Sequence, residues 1–261
     1  MFRQRLLSSI IGGSILIAAV WYGEILLLAV TAALMLLGAR EMILIFSKLD
    51  LKVPPIMIFP GCLFLVIAAY QYKGGFPGEV LILILVFYLI IMTIFYPRFT
   101  PFDAMVSFFS TVYTGLLIFL YLLSTLPNGF VWLVLMLACT WSNDTMAYLV
   151  GRRWGNRRMA PELSPGKTRE GALGGILGSI IAAWAVALFF EQPLWPVLLL
   201  GMVTGMAAQA GDLVESAIKR QAGVKDAGKL IPGHGGILDR FDSMLFTAPL
   251  VYYYVCFILI S

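Results

Sequence analysis

Residues 211–243 read GDLVESAIKRQAGVKDAGKLIPGHGGILDRFDS and separate two long apolar runs. The stretch gathers Asp212, Glu215, Asp226, Asp239 and Asp242 with Lys219, Arg220, Lys225, Lys229, Arg240 and the single histidine of the chain, His234. Its contrast with the rest decides the fold class. Overall 61% of the residues are hydrophobic and 12% charged, whereas a soluble domain carries about 25% charged residues. So few charges cannot clothe the surface of a soluble protein of this length. The chain therefore reads as an all-α, polytopic integral membrane protein.

Working outward from the island, a hydrocarbon core of about 30 Å asks for roughly 20 helical residues, fewer where flanking side chains snorkel. Nine apolar stretches meet this, at 6–21, 25–46, 54–70, 80–96, 104–126, 130–150, 171–190, 194–210 and 244–260, separated by Pro and Gly turn signals. Basic residues collect on the cytoplasmic side of such proteins. With a cytoplasmic N-terminus, that side receives Arg3 and Arg5, then Arg40, Lys48 and Lys52, then Arg98. It also receives Arg152, Arg153, Arg157, Arg158, Lys167 and Arg169, and the five basic residues of the island. Lys73 alone falls outside. About nine transmembrane helices and a cytoplasmic N-terminus are the expectation, with the two most basic loops on the side where soluble nucleotides are found.

The apolar run after Arg3 and Arg5 resembles a secretion signal, but a second run follows almost at once and no small-residue cleavage site separates them. It reads as a retained first span. Cys62, Cys139 and Cys256 lie singly in apolar segments, as free thiols rather than a disulfide or zinc framework. No internal repeat or second soluble domain is visible, so 1–261 reads as one membrane-embedded catalytic domain.

Helical spacing orders the island. Asp212, Glu215, Ser216 and Lys219 fall at i, i+3, i+4 and i+7, one face of a helix continuing from the eighth span. Asp239 and Asp242 fall at i and i+3 where the ninth span begins. Hard carboxylate oxygens of this kind suit Mg²⁺, which bridges to substrate phosphates. Gly223, Gly228, Gly233, Gly235 and Gly236 let backbone amides approach phosphate oxygens, and the lysines and arginines could neutralise a polyphosphate. His234 either braces a tight backbone or hydrogen-bonds a phosphate or shuttles a proton.

Two further features lie outside the island. Asn143 and Asp144 sit in the second half of an otherwise apolar span, where an ionisable residue either faces a polar cavity or locks helices through an arginine. The loop Ser164-Pro165-Gly166-Lys167-Thr168-Arg169-Glu170-Gly171 ends like a P-loop, but Pro161 stands where GxxxxGK[ST] needs glycine. What remains is a basic, hydroxyl-bearing loop opening a helix, suited to phosphate. Small residues at 171/175 and 174/178 suit close helix packing.

The pattern Ser216-x-x-Lys219-Arg220-x4-Lys225-Asp226-x-Gly228-x2-Ile231-Pro232-Gly233-His234-Gly235-Gly236-x2-Asp239-Arg240-x-Asp242 resembles the signature of the phosphatidate cytidylyltransferases. The Asn143-Asp144 helix and the Lys167 loop resemble the same family, and so does the span count. The resemblance implies transfer of a cytidylyl group from CTP to phosphatidic acid, with Mg²⁺ as cofactor, in the bacterial cytoplasmic membrane. It implies Asp212, Asp239 and Asp242 as metal ligands joined by Asp144, with Lys219 beside them as a catalytic group. Lys167, Arg169, Ser216, Arg220, Lys225, Asp226, His234, Gly235, Gly236, Arg240 and Asn143 would bind substrate. CTP, phosphatidic acid and membrane lipids are the expected partners, with no nucleic acid, and a homodimer as the assembly to consider. A CTP-dependent polyprenol or phytol-type lipid kinase is the nearer rival. A transporter is the remote one, because symmetric halves with broken helices are missing.

Overall fold

A computed structural model describes residues 2–72, 78–231 and 235–260. Pro232, Gly233, His234 and Lys73, singled out above, lie outside the described residues. Nearly all of the described chain is helical: α1 Phe2–Tyr22, α2 Glu24–Phe46, α3 Pro55–Gln71, α4 Glu79–Ile94, α5 Pro101–Gly115, α6 Phe119–Ser124, α7 Gly129–Trp154, α8 Arg169–Phe189, α9 Leu194–Gln221 and α10 Leu238–Tyr254. Among the described residues, six helices are long and apolar enough to cross a membrane, α5 and α6 counting as one through the 3₁₀ turn between them. Three shorter apolar helices fall in α1, α3 and α4. Each of the nine expected stretches corresponds to one of these. The protein is an all-α, multi-pass membrane protein; its described residues also include a two-stranded antiparallel hairpin of β1 Arg158–Ala160 and β2 Ser164–Thr168.

The chain forms two compact units, Met1–Thr125 with Ile218–Phe241, and Leu126–Ala217 with Asp242–Ser261. The core of the first is apolar: Leu27, Met35, Met42, Met57, Ile58 and Leu65 are fully or almost fully buried. Some of its polar groups are matched inside it. The Tyr88 and Thr111 hydroxyls lie 2.6 Å apart. A capping box starts α5: Thr100 Oγ1 accepts from the Asp103 amide at 3.3 Å, and Asp103 Oδ2 accepts from the Thr100 amide at 2.8 Å. The other oxygen of Asp103 accepts the Lys52 amide at 2.8 Å and ties the approach to α3 onto this cap.

Glycine sets the packing of the second unit. A Cβ on Gly174 would lie 2.5 Å from Val150, and one on Gly178 would lie 2.6 Å from Met146 and 2.9 Å from the Ser142 carbonyl. Only a bare backbone lets α7 and α8 come this close. Ser179 Oγ donates to the Cys139 carbonyl at 2.9 Å, and the Cys139 thiol donates back to the Ser179 carbonyl at 3.4 Å. Gly211 of α9 sits against α10, where an added Cβ would meet the Asp242 carbonyl at 2.5 Å. Cys62 and Cys139 are buried free thiols and Cys256 is a half-buried one.

Candidate functional site

In the second unit, α7, the hairpin, α8 and α9 enclose a cavity of about 530 Å³, within the range of small-molecule sites. Asp144 and Asp212 both line it, together with Asn143, Lys167, Tyr148 and Gln209. Lys167 Nζ pairs with Asp212 Oδ2 at 2.6 Å. Ser216, one turn further along α9, donates to Asp212 Oδ1 at 3.4 Å. Asn143 is buried: its side-chain oxygen accepts from Gln209 Nε2 at 3.0 Å, and its amide reaches Asp144 Oδ1 at 3.2 Å. Gln209 also donates to the Ala172 carbonyl at 2.8 Å. An amide chain thus links α9, α8 and α7 and fixes the carboxylate of Asp144 at the cavity wall.

The hairpin shows how the Lys167 loop is held. Thr168 is the N-cap of α8, its Oγ1 accepting the Gly171 amide at 3.1 Å. Gly151, Gly155 and Gly171 crowd around that hydroxyl, leaving no room for side chains of their own. Glu170 accepts the Asn156 and Arg157 amides at 3.1 and 3.2 Å, closing the base of the hairpin. With Thr168 and Glu170 committed to structure, Ser164 and Lys167 face the cavity, and Arg169 stands exposed at the start of α8. The sequence reading found this loop but missed the strands. Their signal was faint, since a five-residue strand containing Pro165 and Gly166 departs from ordinary strand composition.

In the first unit, Asp239 organises the island. Its Oδ1 accepts from Lys219 Nζ at 2.6 Å, and its Oδ2 accepts the Ala227 amide at 2.9 Å and the Gly236 amide at 2.7 Å. Both carboxylate oxygens therefore hold α9, the loop and the start of α10 together. Gly235 adopts a positive φ of 89°, where an added Cβ would strike Asp239 Oδ2 at 2.6 Å. Arg220 donates to the Val224 carbonyl at 3.4 Å and closes the turn after α9. Lys225 and Asp226 line a second cavity, and Arg240 is exposed.

Glu41 was not expected. Buried in α2, it accepts the Ile237 amide at 2.8 Å on one oxygen and the Leu238 amide at 2.9 Å on the other, satisfying the orphan donors at the start of α10. A Cβ on Gly228 or Gly236 would fall 2.6 or 2.5 Å from its carboxylate, so both glycines make room for it. The rule that flagged Asp144, a charge inside an apolar span, would also have flagged Glu41.

The four expected metal ligands are distributed as follows. Asp144 and Asp212 share the cavity of the second unit, and Asp242 belongs to the same unit, with Oδ1 accepting the Ser243 amide at 2.6 Å. Asp239 is engaged in the first unit as described. Among the described residues, no group of three or more His, Cys, Asp or Glu side chains is assembled for a metal ion. Mg²⁺ does not need one, since one or two carboxylates plus water and substrate phosphates suffice. Asp144 and Asp212 line one cavity, Asp212 carrying Lys167 on one oxygen and Ser216 on the other.

The sequence profile of the Cytidylyltransferase family matches residues 3–258. The chain belongs to the cytidylyltransferase family. It is accordingly a nucleotidyltransferase. Family relatives include the phosphatidate cytidylyltransferase of Staphylococcus saprophyticus, 34% identical over 95% of this chain and 97% of the relative. That of Staphylococcus haemolyticus matches at the same identity and coverage. The phosphatidate cytidylyltransferase of Synechocystis sp. is 48% identical over 51% of this chain, a match spanning only 46% of that relative.

Proposed function

We propose that this chain is a phosphatidate cytidylyltransferase of the bacterial inner membrane, joining CTP to phosphatidic acid to give CDP-diacylglycerol and pyrophosphate in phospholipid synthesis. The observation that carries this reading is the second-unit cavity, in which the Lys167–Asp212 pair and Asp144 sit with the Asn143–Gln209 amide chain. It offers carboxylates for a cation, a lysine for phosphate, and amides with a tyrosine able to read a nucleobase.

A phosphate oxygen of phosphatidate attacks the α-phosphorus of CTP. A new O–P bond forms, the bond from the α-phosphorus to its bridging oxygen breaks, and the electron pair leaves with pyrophosphate. The phosphomonoester is already largely ionised near neutral pH, so no general base is required. Lys167 neutralises phosphate charge and Asn143 and Gln209 orient the nucleotide. Asp144 and Asp212 would hold Mg²⁺, which supplies charge neutralisation on the phosphate oxygens. Of the further ligands that the sequence pattern implies, Asp239 accepts three bonds in the first unit and Asp242 accepts the Ser243 amide in the second. Lys219, expected as a catalytic group, serves as the cationic partner of Asp239.

The test is label partition. Purified protein in phosphatidate vesicles, supplied with CTP labelled at either the α- or the γ-phosphate, should move only the α-label into extracted lipid, and only with Mg²⁺ present. Transfer of γ-label to a lipid alcohol would establish the kinase instead.

A further inference from the structure

The second cavity, about 670 Å³, lies wholly within the first unit, between the C-terminal half of α2 and residues 224–230 of the island. Four cationic side chains line it, Arg40 and Lys48 from the helix end and Lys225 and Lys229 from the loop, and all four are exposed. Two carboxylates line it as well, and one of them, Glu41, is taken up by the amides that open α10. The balance favours an anion.

The rest of the lining says which anion. Leu37, Leu44 and Leu230 form an apolar side, and Leu44 and Leu230 remain 50% and 44% exposed. In a helix that crosses a bilayer, exposed leucine next to a cationic helix end marks the level where acyl chains meet phosphates. Among the described lining residues there is neither an aromatic ring nor a side-chain amide, the groups by which a nucleobase is stacked or read. The second-unit cavity has both, in Tyr148, Asn143 and Gln209. One cavity is equipped for a nucleotide and the other for a phosphate carried on a hydrocarbon.

We propose that the first-unit cavity is a receiving site for the lipid phosphate, occupied before that phosphate meets CTP. Arg40, Lys48, Lys225 and Lys229 receive the phosphomonoester of phosphatidate, and Leu37, Leu44 and Leu230 receive the first carbons of its chains. As a substrate site this rests on the cytidylyltransferase reading above, and it adds Arg40 and Lys48, residues far from the island in sequence.

The test uses the full chain in mixed micelles with the double variant Arg40→Ala/Lys48→Ala. Loss of two charge-assisted phosphate contacts should raise the KM for phosphatidate about tenfold while the KM for CTP stays within about twofold. A rise in the KM for CTP, or no change in either, overturns the proposal. A binding measurement without CTP separates it from the enzymatic reading. Dioctanoyl phosphatidate should raise the thermal midpoint of the wild type and not that of the double variant, whereas glycerol 3-phosphate should do neither. Equal stabilisation by glycerol 3-phosphate would make this a free-phosphate site and overturn the lipid assignment. If the wild type makes no CDP-diacylglycerol yet shows the lipid-specific shift and its loss, the reaction is wrong and the lipid site stands.

Discussion

The two cavities are walled in different ways. That of the second unit is set in packed helices: glycines bring α7 and α8 together, an amide chain runs through Asn143 and Gln209, and the hairpin is held at its base by Thr168 and Glu170. That of the first unit has one helical wall and one loop wall, and the loop is held by two carboxylates, Glu41 and Asp239, that bind its backbone rather than its side chains. The difference fits the demands on each. A phosphorus atom under attack needs groups fixed to a fraction of an ångström, whereas a lipid headgroup tethered to the bilayer needs charge and room to arrive and leave.

The largest expected effect lies in the helical cavity. Asp212→Asn should lower CDP-diacylglycerol formation by about 100-fold or more, the scale seen when a preorganised electrostatic group is removed, with unchanged protein in the membrane and unchanged phosphatidate stabilisation. A variant with normal turnover would break the division between the cavities from the nucleotide side.

Asp239→Asn comes next and asks whether that residue serves the loop or a cation. Breaking its nearly buried pair with Lys219, and weakening two amide bonds, should cost about 3 kcal/mol, read as a lower thermal midpoint in detergent. The Mg²⁺ concentration giving half-maximal rate should stay where it is. A large rise in that concentration with unaltered stability would return Asp239 to the metal.

The smallest effect is expected from Gly175→Ala. Its new methyl would sit 2.6 Å from Asn143 Oδ1 and 3.0 Å from Gln209 Nε2, so the amide chain must yield, at a cost of about 1–2 kcal/mol. The KM for CTP should rise a few-fold while that for phosphatidate stays put. Equal shifts in both would mean that the cavities do not divide the substrates.

Much of this fold is legible because membrane spans are written in composition and length, and the nine apolar stretches correspond to nine apolar helical segments among the described residues. The continuation of the eighth span past Asp212 was legible too, from the i, i+3, i+4, i+7 spacing, and α9 runs to Gln221. What spacing could not show is how the carboxylates are used. Asp212 and Asp239 are both acids at helix positions flanking the island's loop, yet one lines a cavity and the other clasps two backbone amides, because the loop between the helices folds back on Asp239. Glu41 carries a signal as a charge inside an apolar span, but its role is not written there. Its partners are amides, which every residue but proline has, so nothing in the island advertises a need for a distant acid.

The clasp by Glu41 also has a consequence in time. The amides it receives lie 196 and 197 residues further along the chain. At synthesis rates of about 5–20 residues per second, α2 is made on the order of ten seconds or more before its partners exist. Until then its carboxylate must stay hydrated or borrow other company, so the amino-terminal helices can settle only provisionally. Truncation anywhere before the last helix should leave them as clients of the insertion and quality-control machinery rather than as a finished half.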